Sequence, residues 1–480
     1  MADAARRCGP RGIAMMSQPP SDLLQCLTEA KGRVNEDRPE ILASYSMPWT
    51  ASDHAILFAS NRLIEPSATL WAIPQRELAL LGLGAAREFQ VGAETPWSAI
   101  QQQWLHLVET AVIHGGHRPL LCGGFAFDRF CPRRSRWRHF PAAALTLARF
   151  CLSRRGGATR LTINILVTAT SDCVALANDA IADWTRIVSR RPPASCGAGL
   201  ADAPDPDVAA DSWKRKVAAA IDSIGAGAMA KVVLARTRTV PLTVPIEDIL
   251  SNLSETHPDA YLFAFARQDA CFLGASPERL IEFRDGYLST WALAGSAPRS
   301  TVPVEDARLG LGLLRSAKDR HEHALVVHEL RSVLARHCRR LRIAEEPDLR
   351  KLPHVQHLIT PIEGQAHDDL QLLALLEQLH PSPAVGGLPR AAALAHIREQ
   401  EGLDRGWYAG PVGWIDDRGE GEFAVALRSA LLHEGCATLF AGCGIVDGSS
   451  PDDEYRETEV KMRTMASALS SRPSMSRRYG

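Results

Sequence analysis

The segment KDRHEHALVVHEL, residues 318–330, places three histidines and three carboxylates within thirteen residues. Histidine and carboxylate side chains are common protein ligands of zinc and related transition metals. In a helix, however, each residue is rotated by about 100° from the last, so His321 and His323 lie on nearly opposite faces. His321 and His328 share a face but lie two turns apart, and the H-E-x-x-H spacing of zinc peptidases is absent. The spacing therefore disfavours a transition-metal site.

Two pairs of carboxylates in the chain share a helical spacing. Asp319 and Glu322 are three residues apart, and Glu454 and Glu457 repeat this spacing in a C-terminal segment, DDEYRETEVK. A single such pair is typical of a solvated acidic helix face. Two pairs that meet would form an all-oxygen site, which suits Mg²⁺ rather than zinc. Because Mg²⁺ keeps water and substrate oxygens in its shell, we expect two direct ligands and two supporting carboxylates.

Nine stretches occur in the order expected of chorismate-utilising enzymes. They are KVVLAR, FLGASPERL, ALAGSAPR, KDRHEH, VQHLITPI, LHPSPAVGGLPR, GWYAGPVGW, VALRSALL and FAGCGIV…EYRETEVK, and CGGFAFD extends the match towards the N-terminus. The chain resembles isochorismate synthases, above all those that feed salicylate and siderophore pathways. This resemblance implies a Mg²⁺-dependent isomerase that converts chorismate to isochorismate. Water would add at C2 and the C4 hydroxyl would leave, without redox chemistry or an organic cofactor.

The resemblance gives two residues the roles of base and acid. Lys231 would be the general base for the attacking water, and Glu278, in SPER, would protonate the departing hydroxyl. An ordinary lysine, with a pKa of about 10.4, is a poor base at neutral pH, so this role requires burial or a cationic neighbour. The acid likewise requires a raised carboxyl pKa. The ordinary alternatives are a strand-end lysine that extends to solvent and a salt bridge from Glu278 to Arg279.

Further residues would bind the metal and the two carboxylates of chorismate. The resemblance implies that Glu322 and Glu457 hold Mg²⁺ against the ring carboxylate, with support from Asp319 and Glu454. Arg428 would bind the enolpyruvyl carboxylate, because an arginine within the apolar run VALRSALL is otherwise hard to explain. The positions implicated in substrate binding are Gly295, Ser296, His357, Tyr408, Arg428, Gly442, Gly444 and Lys461.

Some of these residues also have ordinary structural interpretations. Lys461 follows Glu457 by four residues and could form a helical ion pair with it. His357 could be a buried core histidine with satisfied hydrogen bonds. The Gly-x-Gly of residues 442–444 is a weak motif by itself, although small residues allow backbone donors to approach a substrate closely.

Other functions are compatible with parts of the pattern. A salicylate synthase would form isochorismate and then eliminate pyruvate in the same site, but LHPSPAVGGLPR favours the isomerase alone. A non-catalytic chorismate-binding regulatory subunit would not require Lys231, Glu278 and four carboxylates. A transition-metal hydrolase would depend on the histidines of KDRHEH. The aminating relatives take ammonia from a glutamine amidotransferase, and we expect no such partner because no G-x-C-x-G-x-Q elbow occurs.

A framework of buried strands and helices must position these residues. Buried strands are predicted at KVVLAR, YLFAFAR, CFLGASPERLIEF (strand, turn, strand), EFAVALRSALL (one strand, 422–432) and ATLFAGCGIV. Helices are predicted over 303–340 and 452–469, and another should begin with Asp211 or Ser212 as its cap. The pattern indicates an α/β or α+β fold. The resemblance sharpens it to two packed, mostly antiparallel sheets flanked by helices.

The whole chain has the composition of a soluble globular protein. Of its 480 residues 46% are apolar and 23% charged, and the net charge of −1 gives no sign of a nucleic-acid partner. The apolar runs are too short to span a membrane. Eleven cysteines without a C-x-x-C pair fit a reducing cytoplasm.

The chain divides into four predicted regions. Residues 1–20 lack an apolar signal region and form a disordered tail or an extended start, with translation from Met1 or from Met15/Met16. Residues 21–210 are an N-terminal part integrated into the fold, ending in a Pro/Ala-rich loop. Residues 211–470 form the chorismate-binding catalytic region, and 471–480 are a tail. Oligomeric state does not follow from the sequence.

Overall fold

The computed structural model describes residues 18–50, 52–65, 67–131, 135–192 and 206–470. The predicted tails, except residues 18–20, and most of the Pro/Ala-rich loop therefore lie outside the described residues. Within the described residues the boundaries of the strands are β1 Glu40–Pro48, β2 Ser67–Ile73, β3 Leu78–Val91, β4 Val112–His114, β5 Leu120–Phe125, β6 Ala143–Arg155, β7 Ala158–Thr168, β8 Lys231–Pro241, β9 Tyr261–Arg267, β10 Ala270–Ser276, β11 Arg279–Arg284, β12 Tyr287–Pro298, β13 Cys338–Ile343, β14 Asp348–Lys351, β15 Val355–Ala366, β16 Gly387–Leu388, β17 Pro411–Asp416, β18 Gly421–Val425, β19 Ser429–His433 and β20 Cys436–Ile445.

The helices alternate with these strands along the chain. They are α1 Ser21–Arg33, α2 His54–Asn61, α3 Ser98–Glu109, α4 Cys173–Ser189, α5 Pro206–Gly225, α6 Ile246–Thr256, α7 Pro303–Arg315, α8 Ala317–Leu334, α9 Leu372–Leu379, α10 Arg390–His396 and α11 Pro451–Ser470. A π-helical turn, Ile397–Glu401, follows α10. In the described part of the chain, no helix combines the length and the apolar character that crossing a membrane requires.

Hydrogen bonding arranges the strands in two layers that share β6. The first layer has the order β4-β1-β7-β6-β3-β2-β9-β10-β19-β20-β8-β16. The second has the order β5-β17-β18-β11-β12-β15, with β13 and β14 both paired to β15, and β5 joins it to β6. All these pairs are antiparallel except β1 with β4. The predicted architecture, mostly antiparallel sheets flanked by helices, is confirmed.

Alternate residues of the first layer supply two separate cores, because successive side chains of a strand point to opposite faces. Trp71 and Phe263 belong to the core between the layers. Their neighbours Leu70 and Leu262 belong to a second core, which packs beneath α1, α2, α4, α6 and α11. The inner core holds the strands that carry the predicted site residues.

The predicted helix over 303–340 is two helices. α7 ends at Arg315, Ser316 adopts an extended conformation, and α8 begins at Ala317. The Ser316 hydroxyl accepts a hydrogen bond from the backbone N–H of Asp319 at 3.2 Å, which satisfies one of the free donors at a helix start. The predicted cap of the other helix was also wrong, because α5 begins at Pro206 and includes Asp211 and Ser212.

The predicted single strand over 422–432 is likewise interrupted. β18 ends at Val425 and β19 begins at Ser429. Between them Arg428 has a φ of 49°, in the left-handed region that costs a non-glycine residue about 1–3 kcal/mol. The surrounding structure must therefore hold this turn in place, and it turns the arginine out of the alternating pattern of the strand.

Candidate active site

Eleven of the fourteen site residues named above line one cavity. They are Glu278, Gly295, Ser296, Glu322, His357, Tyr408, Arg428, Gly442, Gly444, Glu457 and Lys461. The other three lie beside it: Lys231 hydrogen bonds to Glu322, Asp319 interacts electrostatically with Glu322 and Glu457, and Glu454 with Glu457. The cavity therefore brings together side chains from positions 231 to 461 of the chain.

Lys231 begins β8 and is fully buried, so it does not extend to solvent. Its Nζ donates to Glu322 Oε1 at 2.8 Å. The neighbour of Lys231 at hydrogen-bond distance is therefore the carboxylate of Glu322, and not the expected cation.

Glu278 lies between β10 and β11 and is 7% exposed. Burial raises its pKa to about 7, against the opposing charges of Arg428, Lys231 and Lys461. Arg279 points elsewhere and pairs with buried Glu422 at 3.0 Å. At neutral pH Glu278 is therefore a carboxyl group that holds and releases a proton.

The helices that carry the two carboxylate pairs meet. Lys318 of α8 donates to Glu454 Oε1 of α11 at 3.0 Å, and the Ser449 hydroxyl donates to the same oxygen at 2.9 Å. The other oxygen, Oε2, is buried without a hydrogen-bond partner. Burial and the neighbouring Glu457 raise the pKa of Glu454. A carboxyl group in these surroundings is stabilised in its charged form by an added cation.

Lysines balance much of the negative charge of this cluster. Burial raises the pKa of Asp319, and the charges of Glu322 and Glu457 add to the effect. Burial would also raise the pKa of Glu322, but neighbouring lysines, chiefly Lys231, outweigh it and lower that pKa. Glu457 pairs with Lys461 at 2.5 Å. The carboxylates are thus close enough to affect one another's protonation.

The donor set fits an oxygen-ligated cation better than a transition metal. Among the residues that the structure describes, no three His, Cys, Asp or Glu side chains already form a metal-binding group. His323 is buried with its Nε2 2.7 Å from Thr360 Oγ1, and burial lowers its pKa to about 4. His321 is exposed. What remains is a group of carboxylates with one unpartnered buried oxygen, and Mg²⁺ binds such oxygens.

Arg428 and His357 form a polar wall of the cavity. Arg428 Nη2 donates to His357 Nε2 at 3.2 Å, so the ring proton lies on Nδ1, which donates to the Gly295 carbonyl oxygen at 3.1 Å. Ser296 Oγ is 3.0 Å from the same Nδ1. Burial and Arg428 hold the His357 pKa well below its usual range. A neutral histidine leaves the charge of Arg428 for an anionic ligand.

Lys461 and Tyr408 converge on the Gly442 backbone. Lys461 Nζ donates to the Gly442 carbonyl oxygen at 2.9 Å while it pairs with Glu457. The Tyr408 ring stacks on Phe440 at 4.9 Å, and a Cβ at Gly442 would lie 3.3 Å from its hydroxyl. A side chain at this position would crowd the tyrosine hydroxyl.

Gly444 leaves space for the Lys231–Glu322 pair. A Cβ at this position would lie 2.6 Å from Glu322 Oε1 and 2.9 Å from Lys231 Cε. Since displacement of reacting groups by about 1 Å can cost 100-fold in rate, Gly444→Ala should lower kcat/KM by about that factor. Steady-state kinetics will measure it, with Gly312→Ala as the matched control because its Cβ would meet nothing within 4 Å. Wild-type kcat/KM in Gly444→Ala would contradict this role.

Sequence analysis did not single out Arg405, which lines the cavity and is 3% exposed. Its Nη2 donates to the Val233 carbonyl oxygen at 2.7 Å and its Nη1 to that of Val385 at 3.0 Å. It also pairs with Glu401 at 2.5 Å. Through its two hydrogen bonds to carbonyl oxygens, Arg405 connects β8 to the segment before β16. The available signal was an arginine directly before the motif GWYAGPVGW.

Arg405→Met should destabilise the protein by roughly 3–5 kcal/mol, because it leaves the buried Glu401 carboxylate without a counter-charge. Adding Glu401→Leu should restore much of the lost free energy of unfolding, since neither charge then remains buried. Urea denaturation will measure both. Arg456→Met, which removes an exposed pair with Asp453, should change stability little. A double variant no more stable than Arg405→Met would contradict the explanation.

Comparison with known proteins supplies the family. The model of a family described as "chorismate binding enzyme" matches residues 25–470. The chain belongs to this chorismate-binding family. The resemblance that the nine motifs carry is therefore confirmed, and the family match extends through the N-terminal strands of the fold.

Relatives within the family match most of the chain. It is 42% identical over 460 residues to the salicylate biosynthesis isochorismate synthase of Pseudomonas aeruginosa, which covers 93% of this chain and 96% of that protein. It is 35% identical to the isochorismate synthase MenF of Bacillus subtilis, over 87% of this chain and 94% of that protein. The solved structure of the menaquinone-specific isochorismate synthase MenF from Escherichia coli is 26% identical with a TM-score of 0.75, covering 93% of this chain and 99% of that chain.

Proposed function

We propose that this protein is an isochorismate synthase, an isomerase that adds water at C2 of chorismate while the C4 hydroxyl leaves. The relatives named above support the substrate and the reaction class. The observation that carries the proposal is the buried carboxyl group of Glu278. Burial raises its pKa to about 7, and the buried Lys231 lies close enough to act on it electrostatically. Glu278 can then donate a proton near neutral pH, Lys231 is the proposed acceptor, and this exchange of hydroxyl positions needs both.

Lys231 is the proposed base for the attacking water. Only a neutral amine can accept a proton, and Lys231 Nζ donates a hydrogen bond to Glu322 Oε1. Glu322 would also be a ligand of the cation, so a bound cation would compete with Lys231 for this carboxylate.

Glu278 is the proposed acid for the departing C4 hydroxyl. In its protonated form it donates to the leaving oxygen, which would otherwise depart as hydroxide. The nearby cationic groups, Arg428, Lys231 and Lys461, stabilise the carboxylate that remains after transfer. The reaction is balanced: Lys231 takes a proton from the attacking water as its oxygen bonds to C2, the ring double bonds shift, and Glu278 gives a proton to the C4 hydroxyl, which leaves as water.

Two groups of the cavity suit the two carboxylates of chorismate. Arg428, which has no carboxylate within ion-pair distance among the described residues, binds the enolpyruvyl carboxylate together with the Tyr408 hydroxyl. Glu322 and Glu457 would hold Mg²⁺, and Asp319 and Glu454 would support these two carboxylates. When bound, Mg²⁺ supplies positive charge that stabilises the ring carboxylate and the charge that develops on the ring.

Product analysis tests the proposed function. Purified protein incubated with chorismate and Mg²⁺ should yield isochorismate without pyruvate, and omission of Mg²⁺ with a chelator present should stop turnover. Stoichiometric pyruvate and salicylate would instead identify a salicylate synthase. Chorismate binding without any product would identify a non-catalytic subunit.

Glu322→Gln should raise the Mg²⁺ concentration needed for half-maximal rate far more than His321→Ala or His323→Ala does. The amide removes the charge that attracts the cation, whereas neither histidine belongs to the carboxylate group. Rates measured against Mg²⁺ concentration check this, and replacement of a ligand or its support typically costs about 10–100-fold in metal affinity. A larger effect from either histidine variant would return the site to the transition-metal interpretation.

The cellular setting follows as part of the same proposal. The likeness to the Pseudomonas aeruginosa protein suggests that the product feeds salicylate and siderophore synthesis. The described cysteines are free thiols, which suits a reducing cytoplasm.

A further inference from the structure

A second cavity, of about 280 Å³, lies on the outer face of the first layer between α2 and α6. Its floor is apolar and comes from Leu70, Ala72, Ala79 and Leu262. Its lining shares no residue with that of the active-site cavity. At about 30 Å³ for each water, the space equals roughly nine water volumes, which matches a one-ring organic acid.

Arg154 brings an unpaired positive charge to this cavity. It lies near the end of β6, paired with Ala79 of β3, and on the same face as Leu152. Its Nε is buried without a hydrogen-bond partner, and no carboxylate among the described residues lies within ion-pair distance. A half-buried guanidinium in this state is a strong site for a carboxylate, which it can bind through two parallel hydrogen bonds.

The two acidic residues of the rim lie outside ion-pair distance of Arg154. Asp53 caps α2, accepting hydrogen bonds from the backbone N–H of Ala55 at 2.9 Å and Ile56 at 3.2 Å. Glu255 accepts a hydrogen bond from Ser251 at 3.4 Å. Both carboxylates thus have partners of their own within α2 and α6.

His54 adds an unsatisfied acceptor beside Arg154. The residue is 7% exposed, and its Nδ1 lies 3.1 Å from the Ser52 carbonyl oxygen, so Nδ1 carries the proton. Burial, with Arg154 nearby, lowers the His54 pKa to about 4, which keeps the ring neutral near pH 7. Nε2 is then a lone-pair acceptor; it is buried without a hydrogen-bond partner, although the Leu152 backbone lies close enough to affect the pKa of the ring. A buried unpaired acceptor favours a ligand that donates a hydrogen bond.

We propose that this cavity binds a small cyclic hydroxycarboxylic acid at a site separate from catalysis. The carboxylate pairs with Arg154, a hydroxyl donates to His54 Nε2, and the ring lies on the apolar floor of Leu70 and Leu262. The carboxylate, the hydroxyl and the ring of the ligand thus match the guanidinium, the ring nitrogen and the apolar floor of the cavity, respectively. This assignment does not depend on the reaction of the first cavity.

Matched probes test the three contacts on the full-length protein. Isothermal titration will compare 2-, 3- and 4-hydroxybenzoate with benzoate, which lacks the hydroxyl, and with 3-hydroxybenzamide, which lacks the charge. The best hydroxybenzoate should bind at least about tenfold more tightly than benzoate or the amide. Arg154→Met should remove the preference for the acid over the amide, and His54→Phe the preference for hydroxybenzoate over benzoate.

Two controls separate this site from the active site and from misfolding. Neither Arg154 nor His54 belongs to the catalytic cavity, so turnover of chorismate should stay at the wild-type rate in both variants. Ser254→Phe, on the rim in α6, should block binding without removing a buried group. Hydroxybenzoate affinity that is unchanged in Arg154→Met and Ser254→Phe, or absent in the wild-type protein, would overturn the proposal.

Discussion

Replacement of Lys231 by alanine should lower kcat for isochorismate formation by about 10²–10⁴-fold, the usual contribution of a positioned base. The side chain is fully buried and hydrogen bonded to Glu322, so a lysine on the protein surface cannot take its place. Chorismate binding should remain measurable because Arg428 and Lys461 are unchanged. Stopped-flow and steady-state assays of isochorismate, with direct titration of chorismate, will measure the two effects separately.

Binding of Mg²⁺ distinguishes a missing base from a collapsed site. Because Lys231 and a cation compete for the Glu322 carboxylate, the alanine variant should bind Mg²⁺ at least as tightly as the wild-type protein. Lys351→Ala is the matched control, since Lys351 pairs with Asp306 at 3.0 Å, away from the cavity. Wild-type kcat in Lys231→Ala would overturn the assignment of the base. Weakened Mg²⁺ binding would indicate that the lysine acts by supporting the carboxylates.

Local spacing was sufficient to predict much of the framework. Strand β9 has the predicted boundaries, and α11 extends one residue beyond its prediction at each end. A mostly apolar run of seven residues, or a helical periodicity that continues over eighteen residues, is a property of the segment itself. The break at Ser316 was also encoded locally, as a serine three residues before Asp319, but a strong helical pattern on both sides masked it.

Contacts between distant segments could not be predicted in this way. Lys318 and Glu454 are 136 residues apart, so the i, i+3 spacing of each carboxylate pair gave no information on whether the helices meet. Arg428 lies within an apolar run that favours one continuous strand, and a contact with His357, 71 residues away, accompanies the turn instead. His54 and Arg154 gave no signal at all, because they are about 100 residues apart in the chain and only the fold brings α2 and β6 to one cavity.

Glu278 should make the rate fall as pH rises through about 7. Burial raises its pKa to about that value, and a general acid acts in its protonated form, so kcat/KM should decline by about tenfold for each further pH unit. Glu278→Gln should abolish isomerisation, and Glu278→Asp should retain some activity with a shifted decline. An unchanged pH profile in Glu278→Asp would assign the decline to another group and contradict the role as acid.

The same pKa shift predicts that Glu278→Gln stabilises the folded protein above neutral pH. The folded-state pKa of about 7 exceeds the ordinary value of 4.5, so between these values the folded chain binds more protons than the unfolded chain, and stability falls as pH rises. At 1.36 kcal/mol for each pKa unit, the native glutamate costs up to about 3 kcal/mol above pH 7. Urea denaturation should therefore show little difference between Glu278→Gln and wild type near pH 4 and a growing advantage for the variant up to about pH 7. Glu305→Gln, which removes an exposed carboxylate, should show no such advantage. A variant that gains stability while it loses turnover would show that the protein retains a destabilising carboxyl group for its chemistry.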